Sequence, residues 1–569
     1  MSTLIRKHWP LFIAMGLYWA AVIVLVIISV NKNQGHLVYP LDDTYIHMAI
    51  AKNVVLHHIW GVTRYEFTSS TSSPLWTALL AVTYLIFGVN EVSPLVLTFV
   101  FGTLVILVSY LFLVKYIISR SVVFVILLFA VFAAPLPTLT VIGMEHVLHT
   151  FLSLCFVYFA IEVLSATSKP LQRYYLPLIV LSPLVTTVRY EGIFLVFVVC
   201  VLLLLQKRWL YAVILGTVAL LPVIIYGIWS VANGWYFFPN SVLLKGTVPS
   251  FSYDGITKLL LSIPKALKTT MWHGLSFYLL ITSSLLLLFL YRRQEKLYDE
   301  KKYANLIFIG CLLLHMQFVS GFLFYRYEAY LMFIGTIVVG ISANELLLEK
   351  RAWKVNEGGL LYYAALILVV FIFITPFRIR AVASLTITPQ ATHNIYEQQY
   401  QMGLFLKRFY QGKTVAINDI GAVSYLADIR LFDLWGLGSM EPARLRLKKL
   451  YNTEQIYNLA RQKGVTVAIA YDWWFDTKNI GGLPPQWIAL GKWKIIKNVV
   501  AAGDTVILYA VDPSAADELI QNLRQFAEEL PADVEKYANI LNDTNNRPQL
   551  KGQVQPDSRF PETDKRGFE

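Results

Sequence analysis

The sequence predicts a polytopic α-helical membrane protein of about eleven transmembrane helices, with a C-terminal extracytoplasmic α/β domain. Three observations predict it. Hydrophobic residues make up 56% of the 569 residues and charged residues only 15%, with a mean hydropathy of +0.56; a soluble chain of this length carries more charge. Apolar runs of about 20 residues, the length that crosses a bilayer, recur from Pro10 to Pro376. Beyond Pro376 the pattern changes to short β-rich runs separated by a helical one.

The first apolar run, Pro10 to Val30, follows Arg6, Lys7 and His8, and no small-residue cleavage site comes after it. It reads as a retained helix with a cytoplasmic N-terminus. The expected spans are 10–30, 94–114, 121–141, 146–165, 175–188, 193–206, 210–230, 274–290, 303–323, 328–347 and 359–376. The apolar run Pro74–Phe87 is short. Placing it at the outer surface puts the later basic loops inside, as the positive-inside rule requires. Those loops hold Lys115 and Arg120, Lys169 and Arg173, Lys207 and Arg208, a cluster from Arg292 to Lys302, and Lys350, Arg351 and Lys354. The net charge of +12 is therefore topogenic. No basic, aromatic-interleaved domain exists, which argues against nucleic acid. Cys155, Cys200 and Cys311 each lie inside an apolar run and show neither a disulfide framework nor metal spacing.

After residue 376, Thr414–Ile417, Val465–Ala470 and Thr505–Ala510 read as strands and Glu454–Gln462 as a helix. Helical patterns follow at Ala515–Glu529 and Ala532–Leu541, and the polar tail 542–569 reads as disordered. No G-x-G-x-x-G follows a strand, so no dinucleotide site is expected.

The stretch Tyr39–Trp76 follows the first span directly. It opens on Asp42 and Asp43, continues as a helix with Ile46, Ile50 and Val54 on one stripe, and ends in a hydroxyl-rich run, Thr68–Ser73, before Pro74. With the topology above, Asp42, Asp43, Glu145, His146, Arg189, Glu191, Lys245, Arg326 and Glu328 all fall at the outer end of the bundle. Acidic and basic groups above an apolar bundle suit a substrate with a lipid tail, a phosphate and a polar head. Arg or Lys meets the phosphate, and a carboxylate meets the group that reacts. An inverting glycosyl transfer needs one such base and cations near the departing phosphate. A carboxylate at a helix N-terminus is expected to stay ionised. A like-charged pair also suits a divalent cation, although no residues are assigned as metal ligands.

Leu41–Trp76 (LDDTYIHMAIAKN…SSTSSPLW) resembles the first outer loop of GT-C glycosyltransferases, multi-pass enzymes that use polyprenyl-phosphate sugars. Gly143–Thr150 (GMEHVLHT), Thr186–Gly192 (TTVRYEG), Pro239–Gly246 (PNSVLLKG) and Tyr325–Leu331 (YRYEAYL) resemble further motifs of that group. Asn418–Gly438 resembles a stretch in the tail of the terminal arabinofuranosyltransferase branch. The resemblance implies a GT-C module over 1–376, with its catalytic loop at 31–93; the change in pattern marks an extracytoplasmic domain over 377–541, of which the part after Gly438 resembles no known family. It implies a polyprenyl-phosphate sugar donor, arabinofuranose as first choice of sugar, and a glycan, lipid or protein acceptor at the outer face of a bacterial inner membrane. The acid pair then carries the catalytic base, with either member open, and Glu145, His146, Arg189, Glu191, Lys245, Arg326 and Glu328 bind donor phosphate or substrate.

Plainer readings stand beside these. Asp42 and Asp43 can cap a helix, as can Glu145 and His146. Arg189 with Glu191, and Arg326 with Glu328, can be structural ion pairs. Trp435, Trp473 and Trp474 are candidates for stacking on sugar rings. The alternatives are the same fold acting on a pilin or lipid A with another sugar, a non-catalytic envelope assembly protein, or a lipid or solute transporter. Transport is disfavoured because the span centres are almost free of charge.

Overall fold

A computed structural model of the chain describes residues 2–166, 171–245, 274–292, 299–319, 323–351 and 359–538. A helix stands at each expected span. Among the described residues, six are long and apolar enough to cross a membrane: Arg6–Lys32, Ser93–Tyr116, Arg120–Ile142, His146–Ser165, Trp209–Ala232 and Leu275–Arg292. Pro74–Phe87, Gly192–Leu205 and Ala329–Glu345 are apolar but shorter. Two others fall short for reasons visible in their sequences. Leu171–Val188 carries Pro177 and Pro183, and Asp299–Phe318 opens on the charged run Asp299–Lys302. The outward faces are greasy: Leu85, Phe87, Leu205 and Leu210 are 70–75% exposed, which suits lipid and not water.

The C-terminal sheet has six strands: β1 (Thr414–Ile417), β2 (Arg430–Asp433), β3 (Val467–Ala470), β4 (Ile488–Ile495), β5 (Thr505–Ala510) and β6 (Val534–Ala538). Their order is β2-β1-β3-β5-β4-β6. The β2-β1-β3 half is parallel and the rest antiparallel. Three strands stand where the pattern predicted them. β2 and β4 were hidden, β2 inside a turn-rich segment and β4 by Gly491 and two lysines, with a register shift between Ala489 and Gly491. The expected helix over Ala532–Leu541 is instead β6, because pairing with β4 from Val534↔Ile495 to Ala538↔Gly491 overrides local helix preference. The tail 542–569 and residues 246–273 lie outside the described residues.

The helix Asp42–His57 lies where bundle and sheet domain meet, and it is buried on several sides. Ile46 and Ile50 enter the core of the sheet domain, Ala51 joins the core of the bundle, and Tyr45, Met48 and Ala49 pack with Tyr396, Tyr400 and Tyr425 in the seam between them. The predicted apolar stripe thus faces the C-terminal domain. His47 and Asn53, which lie off that stripe, are buried too.

The seam closes tightly at Gly421. A Cβ there would stand 2.0 Å from the main-chain oxygen of Asp42, a clash with backbone that no rotamer relieves. Gly421→Ala is therefore expected to cost about 3 kcal/mol, read as a lowered melting temperature of the protein in detergent. Gly16→Ala, whose Cβ meets nothing within 4 Å, is the matched control and is expected to be neutral.

Candidate active site

Asp42 and Asp43 begin their helix, yet the residue before it, Leu41, provides no side-chain cap. Instead the Asp42 carboxylate accepts from the backbone N–H groups of Gly421 (2.7 Å) and Ala422 (2.8 Å). It caps a helix of the other domain, Gly421–Leu426, whose first N–H groups have no partner within their own helix. Asp43 turns the other way, toward Arg326, whose Nη2 donates to it at 2.9 Å. The two carboxylates therefore have different surroundings.

Around Arg326 several of the other sequence-predicted residues gather. The Tyr327 ring lies 4.9 Å from the Arg326 guanidinium and 5.1 Å from that of Arg189, and the His146 ring meets it edge-on at 5.7 Å. Arg189 donates to Glu145 and to Glu191, each at 2.5 Å. Glu145, fully buried, also faces His47 Nε2 at 3.5 Å and accepts from Ser72 at 3.3 Å. His47 Nδ1 lies within hydrogen-bond distance of Thr77 (2.9 Å) and Thr71 (3.1 Å). Arg326 and Glu328, a conceivable pair by sequence, part company: Glu328 accepts from Arg380 and, at 2.7 Å, from Ser276. Glu145 holds the N-cap position of its helix without a side-chain cap bond, which leaves its carboxylate to Arg189. His146 is 2% exposed, and among the described residues neither ring nitrogen has a hydrogen-bond partner.

Of the nine sequence-predicted residues, six, namely Asp43, Arg326, His146, Arg189, Glu145 and Glu191, are joined in a chain of contacts through Tyr327, whereas Asp42 and Glu328 turn to partners of their own. The ninth, Lys245, ends the short helix Asn240–Lys245, and its side chain lies outside the described residues. Sequence reasoning did not single out His47, Tyr327, Arg380 or Asp419. Tyr327 sits inside the quoted motif Tyr325–Leu331. Arg380 comes four residues after Pro376 on the helix Gly359–Ile395, just past the expected end of the last span. Asp419, within the quoted Asn418–Gly438 stretch, is bound by Gln399 (2.7 Å) and Tyr471 (3.0 Å).

The quoted motifs also hold one another. Asp433 accepts from the N–H groups of Trp435 (2.8 Å) and Gly438 (2.6 Å), shaping the loop between them. Ser70 donates to Leu437 O and Asn240 Nδ2 to Gly436 O, both at 2.7 Å, while Asn240 N–H donates to Ser69 O at 2.8 Å. The Ser/Thr run is thus a buried hydrogen-bonded scaffold. Of the three tryptophans, Trp435 and Trp474 are buried against each other at 4.7 Å, and only Trp473 is exposed.

Electrostatics separate the acids. Burial pushes the Asp42 carboxyl up to about 7, with help from Asp419 and against the two N–H bonds. The expectation that a dipole keeps it ionised is corrected: the helix end it meets is outweighed by desolvation and a like charge. Burial raises Glu191 too, but Arg189 beside it wins and holds it at about 2. Asp42 and Asp43 direct their carboxylates to different partners, one to backbone N–H groups and one to a guanidinium, which does not fit a shared chelate for a divalent cation.

A sequence family described as a domain of unknown function (DUF8728) matches residues 393–509, and no curated protein matches. Among solved structures, ArnT from Cupriavidus metallidurans bound to undecaprenyl phosphate aligns at 14% identity and TM-score 0.48, covering 88% of this chain and 98% of that one. The apo form of that ArnT gives 14% and 0.49 over the same shares. An oligosaccharyltransferase from Archaeoglobus fulgidus, in complex with zinc and sulfate, gives 11% and 0.45, covering 85% of this chain and 73% of that one.

Two outcomes follow from the geometry. The folded-state value of Asp42 lies above its unfolded one, so its stabilising share is complete below about pH 4 and is lost as pH rises through about 7. Asp42→Asn should therefore gain melting temperature relative to wild type between pH 5 and pH 8. Arg189→Ala leaves buried Glu145 and Glu191 without their cation and should cost about 3–5 kcal/mol in thermal unfolding, with Arg189→Lys recovering part of it.

Proposed function

We propose that this chain is a multi-pass membrane glycosyltransferase of the GT-C kind, moving a sugar from a polyprenyl-phosphate donor to an acceptor hydroxyl at the outer membrane face. The observation that carries the reading is the Asp43–Arg326 pair, set in one cluster with Tyr327, Arg189, Glu145 and His146 beneath the sheet domain. The motif resemblance supports it, since the quoted motifs supply these residues. Orientation follows the positive-inside rule. Lys115, Glu162 and Glu300 meet at the other end of the bundle, which becomes the cytoplasmic end.

Asp43 is the base. Its side chain keeps 26% exposure and faces the Arg326 guanidinium, whereas Asp42 spends both oxygens on docking. The acceptor oxygen bonds to the anomeric carbon as its proton passes to Asp43. The bond from that carbon to the phosphate oxygen breaks, and the electron pair departs with polyprenyl phosphate. Arg326 and Arg380, each with a buried nitrogen lacking a partner among the described residues, and His146 are placed to receive that charge. Little protonation of a phosphate leaving group is needed. Arabinofuranose, from branch resemblance, is the first sugar to test, and an envelope glycan, lipid or protein the acceptor.

The test is transfer from radiolabelled polyprenyl-phosphate arabinose, and then other polyprenyl-phosphate sugars, by purified protein with envelope extract. Asp43→Asn should lower turnover by about 100- to 10,000-fold with folding intact. Asp42→Asn should retain much of it. Equal loss in both variants would remove Asp43 from its role, and silence of the wild type across the whole donor panel would overturn the glycosyltransferase reading.

A further inference from the structure

A second polar cluster lies apart from the Asp43 site and shares no residue with it. The helix Gly359–Ile395 runs into a π-turn, Tyr396–Tyr400, a local widening often found where a helix carries function. Across this junction His393 and Glu397 stand four residues apart and face each other. Asp533, one residue before β6, completes the group. The ligand atoms of these three side chains all lie within 4.8 Å of one another.

We propose that His393, Glu397 and Asp533 form a binding site for a divalent transition metal of the zinc class, which clips the end of this helix to the edge of the sheet. His393 Nε2 is 3.4 Å from Glu397 Oε1 and 3.3 Å from Asp533 Oδ2. Zinc bonds of about 2.0–2.2 Å place neighbouring ligands of a tetrahedron roughly 3.3–3.6 Å apart. Both spacings about His393 Nε2 fall in that interval.

The atoms behind the ligands give an independent observation. His393 Nδ1 is 3.1 Å from Asn33 Oδ1. An amide oxygen only accepts, so with the Asn33 amide in this orientation Nδ1 carries the proton and, in the neutral ring, Nε2 turns its lone pair toward the carboxylates. Asn394 Nδ2 donates to Glu397 Oε2 at 3.2 Å, fixing the carboxylate so that Oε1 faces the imidazole. Both asparagines are fully buried. Outer groups that set tautomer and carboxylate orientation are the usual companions of metal ligands. Lys32, adjacent to Asn33, donates to Gln390; its charge reaches His393 and Glu397, but among the described residues it forms no ion pair with these carboxylates. A lone pair directed at two carboxylate oxygens is repulsive unless a cation sits between them, either a proton on Nε2 or a metal ion.

Asp533 is 66% exposed, which gives an ion a path from solvent and allows a variant with little effect on the core. An imidazole with two carboxylates favours zinc over magnesium or calcium. The test uses the full-length protein in detergent, stripped with EDTA and titrated with Zn2+, Mg2+ or Ca2+, with metal content and melting temperature as readouts. A single zinc ion per chain and a raised melting temperature are expected. Asp533→Asn should weaken zinc binding by about tenfold or more, and His393→Ala should abolish it. No stoichiometric zinc, equal binding by Asp533→Asn, or magnesium or calcium bound as tightly as zinc would overturn the site. If His393→Ala does not fold, Asp533→Asn decides alone.

Discussion

The rest of the structure depends on a carboxylate of one domain capping a helix of the other. Asp42 gives both oxygens to the N–H groups that open Gly421–Leu426, and Gly421 lacks a Cβ where one would strike Asp42. This contact fixes the helix Asp42–His57 against the sheet domain. Its neighbour Asp43 is thereby aimed at Arg326, and the guanidinium–tyrosine stack reaching Arg189 follows from that placement. A buried charge without partners is costly, and here each acid is answered by a backbone dipole or a cation. The two adjacent aspartates thus divide between anchoring the domains and facing the cluster.

Much of the helical part was legible from the sequence because a bilayer imposes a length and a composition. The helices at the expected spans follow from apolar runs bounded by basic loops. The sheet was less legible. β1, β3 and β5 show as β-branched runs, whereas β2 and β6 become strands by pairing with neighbours distant in sequence, which local preference does not encode.

The candidate site was legible as a set of residue types at one end of the bundle, not as a pattern of partners. That Arg326 meets Asp43 and not Glu328, and that Glu328 meets Arg380, depends on how helices far apart in sequence pack. His47 gave no signal by itself, because its partners Thr71, Thr77 and Glu145 come from segments distant in sequence. Asp42 was expected to be ionised because its own helix end was considered, not burial beside Asp419.

The anchoring bond joins residues 379 positions apart in the chain. During synthesis, every candidate membrane helix is made before Gly421 exists to receive Asp42. Contacts of such separation close late, because chain entropy must be overcome before they can form. Until then the face of Ile46 and Ile50 has no sheet domain to cover it. The cluster at the bundle's end is therefore completed only when the last domain folds down, so a chain truncated before Gly421 has its helices without a finished site.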